Sequence, residues 1–171
     1  MAETGIRVDG SNNSLYINPD VRVAADGPWG TGLLVAYGKD QTVVNQGTIQ
    51  ALGQGGVAAR FDFGGKLLGN DTEYHGSWIW TYTDDGETFI VDMPSYGYKD
   101  LSGFDLNLDG ALVSRFDVSG RLAGSAASIY ISENAWVRNI NILSGASVSG
   151  DIISNWDPNN PLIQYPGGEK L

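Results

Sequence analysis

The chain has 171 residues, with 10 Lys and Arg against 20 Asp and Glu, giving a formal net charge of −10 at pH 7. That balance argues against nucleic acid and against anionic membrane surfaces, because both recruit cationic side chains. With no Cys and one His, the chain lacks the groups for a disulfide framework, a thiolate metal site, a cysteine nucleophile or any site needing two imidazoles.

The length suits one domain. Gly makes up 24 of the residues, about twice the usual share and without a collagen period, which points to short strands joined by tight turns. The opening MAETGIRVDG lacks the apolar stretch of a signal peptide, and no apolar run approaches the roughly 20 residues of a membrane helix. Met1-Ala2 reads as a cloning scar.

From Gly5 onward the sequence repeats. Gly5, Gly32 and Gly56 each open a short apolar strand, at spacings of 27 and 24 residues. Val23, Ala25 and Gly27 recur 26 residues later as Ile49, Ala51 and Gly53. SLYINPDVRV from Ser14 is echoed by SIYISENAWV from Ser128, and the turn and strand at Asn45 to Ile49 by VSGRL from Val118 and VSGDI from Val148. Each repeat reads as three strands of four or five residues, such as Ile6 to Val8, Leu15 to Ile17 and Val21 to Ala25, separated by Asp, Asn, Gly, Ser and Pro turns. No stretch carries helical periodicity with a cap.

A three-strand unit with a period in the twenties cannot bury its inner face alone. Stacked coils of such units, about 4.8 Å apart, form parallel sheets around one continuous core. The predicted fold is therefore all-β, a parallel β-helix of about five coils. In LYI and VRV the outer positions point inward, and Leu15, Ile17, Val23, Ile49, Leu122, Ile129 and Ile152 are the expected core.

The repeat breaks between about Lys66 and Gly103. Within that insertion WIWTYTDDGETFIVDM alternates on both sides of Asp85-Gly86, the favoured pair for a type I′ hairpin turn. The implied register sets Tyr82 against Phe89, Trp80 against Val91 and Trp78 against Met93. The domain reading is thus a β-helix over 1–157, with an inserted hairpin at 66–103, followed by a Pro- and Gly-rich, strand-poor tail at 158–171. Residues 169–171 read as a further scar.

VVNQGTIQALGQGGVAARFDFG (Val43 to Gly64) and ILSGASVSGDIISNW (Ile142 to Trp156) resemble the passenger domains of bacterial autotransporters, above all the β-helix stalk attached to subtilisin-like serine proteases. The resemblance covers most of the chain outside the insertion. It implies right-handed winding, a cell-surface or extracellular location, and a parent protein joined to a membrane β-barrel translocator in the outer membrane. No membrane β-barrel, protease domain or subtilisin-type serine motif is recognisable here, so the resemblance brings no catalytic residue.

Few residues form a constellation for chemistry. His75 has no G-x-S-x-G elbow to serve. Asp105, Asn107 and Asp109, with Gly110, open like a calcium loop, but position 12 is Phe116 instead of Glu; the alternative is a strand with Leu106 and Leu108 inward. Asp84, Asp85 and Glu87, or Asp62 and Asp71, supply carboxylates without a glycosidase signature. The aromatic strip Tyr74, Trp78, Trp80, Tyr82, Phe89, Tyr96 and Tyr98 is the best binding candidate, since aromatic faces take sugars and protein hot spots. The expectation for it is nevertheless packing on the flank of the coils, since two isolated strands are marginal in water without packing. The expected function is a non-catalytic stalk segment, monomeric and without cofactor. The alternatives are an adhesin that uses the hairpin to bind a host surface protein or glycan, and a carbohydrate-active β-helix enzyme.

Overall fold

The structure, a computed structural model, describes residues 3–36, 39–62, 76–84, 87–95, 106–107, 111–132, 135–157 and 163–164, with the backbone alone described at 76–84, 87–95, 106–107 and 163–164. Seven strands precede the insertion: β1 (Thr4–Val8), β2 (Ser14–Ile17), β3 (Arg22–Ala24), β4 (Thr31–Val35), β5 (Gln41–Asn45), β6 (Thr48–Ala51) and β7 (Val57–Phe61). Within the insertion come β8 (Gly76–Asp84) and β9 (Glu87–Ser95), and β10 (Leu106–Asn107) follows it. The chain then forms β11 (Val113–Val118), β12 (Arg121–Ile131), β13 (Ile140–Ile142), β14 (Ser147–Ser154) and β15 (Ile163–Gln164).

The described residues are all-β, without a helix. Apart from the β8–β9 pair, every pairing is parallel, and the sheets curl nearly closed around one core. Three rows of neighbours result. In the first, Ile6, Leu33, Ala59, Ile129 and Ile152 stand side by side. The second aligns Leu15, Val43, Phe116 and Ile140, and the third Val23, Ile49, Leu122 and Val148. The eleven-residue β12 belongs to two rows, its first part beside β6 and its second beside β7.

The core follows from strand alternation. Ile17, Ile49, Leu122 and Ile129 are buried in it, with Leu15 and Val23 packed against it as expected. Phe61 and Phe116 meet edge to face at 5.2 Å between ring centroids, joining the first row to the second.

Two expected inward residues are not buried. Ile152 is 55% exposed, and among the described residues its strand β14 pairs with β12 alone. Val21 is exposed just ahead of β3, so in VRV only Val23 reaches the core.

The repeats are real, but three of the sequence alignments slip. Gly32 opens its strand one residue after Thr31, which pairs with Val57, so Gly32 stands level with Ala58 and not Gly56. Leu122 pairs with Val148, which places VSGRL four residues away from the predicted match to VSGDI. SIYI in β12 lies in the first row and SLYI in the second, so those look-alike segments occupy different faces. By contrast, Val23 beside Ile49 and Val118 beside Asn45 stand in the predicted register.

Polar side chains tie successive turns together. The buried Gln41 accepts the Asn13 N–H at 3.0 Å through Oε1 and donates through Nε2 to the Gly10 carbonyl. Asn45 Nδ2 donates to the Arg121 carbonyl at 2.9 Å, across the insertion, and Asn141 Nδ2 to Asp117 Oδ1 at 2.8 Å. The bonds of Gln41 and Asn45 pair part-buried backbone groups, whereas the Asn141–Asp117 bond lies at the surface.

Candidate functional site

The aromatic hairpin is present with its predicted register. β8 and β9 pair antiparallel from Gly76 opposite Ser95 to Asp84 opposite Glu87, with Trp78 beside Met93, Trp80 beside Val91 and Tyr82 beside Phe89. Tyr74, Tyr96 and Tyr98, the turn residues Asp85 and Gly86, His75 and Asp71 lie outside the described residues.

The calcium-loop candidate is only partly placed. Leu106–Asn107 forms β10, which pairs in parallel with Ile163–Gln164, so the expected strand-poor tail contributes a short strand. Asp105 and Asp109 lie outside the described residues. Among the described residues no three His, Cys, Asp or Glu side chains group closely enough to hold a metal. Asp62 is buried and carries an interaction of its own.

A feature missed in the sequence sits at the turn between β3 and β4. Trp29 is 61% exposed at φ 60°, and its N–H donates to the Gln54 carbonyl at 2.6 Å in the equivalent turn one repeat later. Its six-membered ring covers Gly55, which has φ 71°; a Cβ there would run into the indole. The ring is thus seated on backbone from one side while most of its surface remains in solvent.

Beside it, Asp26 Oδ1 accepts the Leu52 N–H at 2.9 Å, and Oδ2 accepts Gln50 Nε2 at 2.7 Å. The Arg22 guanidinium lies 3.5 Å away. The Leu52 backbone bond, helped by Gln50 and Arg22 and opposed by partial desolvation, holds the Asp26 carboxyl below its ordinary value. Both Asp26 oxygens are therefore engaged. The turn offers a rigid aromatic surface with the exposed Leu52 nearby, which suits contact more than acid–base chemistry. Pro28-Trp29-Gly30 reads in sequence as a turn, but the exposure of the ring depends on Gly55 in the next repeat.

The chain matches no family model, and no curated protein or solved structure is significantly similar to it.

Proposed function

We propose that the chain is a right-handed parallel β-helix of about five coils and serves as a non-catalytic stalk segment displayed outside the cell. The observation that carries this reading is the order of pairing. β1 lies beside β4, β2 beside β5, β3 beside β6 and β4 beside β7. In a parallel barrel each strand neighbours the next parallel strand in sequence; before the insertion each of these four meets the strand three elements on, as a coil with three strands per turn requires. Right-handedness follows the general chirality of parallel crossovers.

The extracellular placement and the link to an outer-membrane β-barrel translocator rest on the resemblance to autotransporter passengers. A uniform rod of stacked coils is suited to spacing an effector from a membrane, because its length grows coil by coil without changing its cross-section. A second reading, an adhesive module for a host surface protein or glycan, is favoured by the exposed, backbone-seated Trp29.

The test places the chain between a cleavable signal peptide and an outer-membrane β-barrel translocator in a Gram-negative bacterium. The expected result is surface display in a form that resists external protease. Retention in the periplasm, or display as a protease-labile chain, would refute the stalk reading. Binding of the displaying cells to host cells, lost in Trp29→Ala, would move the assignment to the adhesive module.

A further inference from the structure

One side of the first row is covered although it faces away from the core. In β4, Leu33 and Val35 belong to the core, so alternation turns Leu34 between them outward, yet Leu34 is 0% exposed and lies outside the core cluster. Its row neighbours are Arg7 on one side and Arg60 on the other, with Tyr130 and Ile153 beyond. The Arg60 guanidinium lies 4.9 Å from the Tyr130 ring centroid, and Arg60 Nε is fully shielded. Arg7 and Tyr130 each make a further contact besides those described.

The adjoining row shows what an uncovered outer face looks like. There the corresponding positions are Tyr16, Val44, Asp117 and Asn141. Tyr16 and Asn141 are exposed, and Val44, flanked by neighbours on both sides, is only half-buried. Arginine stems beside Leu34 shield its flanks in the same way. Sealing its outer end requires another layer.

We infer that the outer face centred on Leu34 is the seat of the chain's own inserted hairpin. The last described residue before the insertion is Asp62, two residues beyond Arg60, so the chain runs into the insertion from a strand that carries this face. Five strands at about 4.8 Å spacing span roughly 19 Å, and a nine-residue strand reaches about 30 Å, so one ribbon is long enough to cross the whole row. A two-stranded ribbon is marginal alone in water and gains stability by burying one side. Among the described residues the tail shows a strand of only two residues, and that strand is paired to β10. The hairpin is then an internal fastening, and the exposed Trp29 ring at the β3–β4 turn is left as the contact surface. This inference rests on register and burial and is independent of surface display.

The test compares the full chain with its Leu34→Lys variant, using limited chymotrypsin digestion and hydrogen exchange read by mass spectrometry. Chymotrypsin has sites at Trp78, Trp80, Tyr82 and Phe89. The expected result is a rise of at least tenfold in cleavage within Gly76–Ser95, with β11 amide protection unchanged. Four outcomes would overturn the inference. These are a hairpin cleaved rapidly in the unaltered chain, a hairpin equally resistant in both, new cleavage confined to the tail at Tyr165, or collapse of β11 protection, which would make Leu34 a core residue.

Discussion

Ile49 and Ile152 provide a paired test of the register, since both are isoleucines at inward positions of parallel strands. Ile49 is 0% exposed and closely confined: a Cβ added at Gly32 would lie 2.7 Å from its Cγ2. Ile49→Ala removes three carbons from a site whose neighbours, Val23 and Leu122, are fixed by strand pairing on both sides. The walls have little freedom to collapse, so transfer and cavity contributions both apply and the expected loss is about 3 kcal/mol. For a chain of this size that corresponds to roughly 6–12 °C in melting temperature. Ile152→Ala removes the same atoms from a side chain already more than half in solvent, and its cost is expected below about 1 kcal/mol. Urea titration of both variants, with an unchanged m-value as the control, measures the difference. Equal losses, or a larger loss for Ile152, would refute the placement of Ile152 as an exposed residue of β14.

Two further substitutions examine the exposed turn. Gly55→Ala forces a side chain into a positive-φ position and into the Trp29 ring, so a loss of about 1–2 kcal/mol is expected, with a shift in tryptophan emission. In a Trp29→Ala background the same change should cost less, and an additive double-mutant cycle would contradict the contact. Asp26 has a depressed folded-state value against an ordinary 3.8, so its contribution to stability is complete above that value and disappears as pH falls through the depressed one. Asp26→Asn should therefore lower the urea midpoint at pH 6, with the gap to the unaltered chain closing on acidification towards pH 3; a gap constant with pH would contradict the charge-dependent bonding.

The period of the repeat was legible because a core aliphatic must sit beside another one repeat earlier, and that constraint is visible as Val23 and Ile49. The register was less legible where turns differ in length. Matching VSGRL to VSGDI aligned two similar turns, whereas the structure aligns the apolar residues Leu122 and Val148 that fill the core. Likewise SLYI and SIYI look alike because every inward face asks for the same alternation, whichever row it joins. The hairpin was the clearest local signal, since the Asp85-Gly86 pair in the sequence implies a register that needs no partner elsewhere, and β8 and β9 pair in that register. The exposure of Trp29 and the burial of Leu34 were hidden for the opposite reason: each depends on a segment remote in sequence.

The insertion also sets the order in which contacts can form. Before it, a residue finds its row neighbour after about one repeat, as Val23 finds Ile49; across it, Asn45 must wait for Val118. Lengthening the closed loop from 26 to 73 residues adds about 0.9 kcal/mol of closure entropy, or roughly a fivefold slower encounter. The first two repeats can therefore assemble as a template before β11 and β12 arrive, with the joining step between them the slow one. Because closure depends only logarithmically on loop length, a second hairpin added at the same place would slow that step by little more than a factor of two, and the junction between Asp62 and Ala111 is a place where the chain can lengthen with little kinetic consequence.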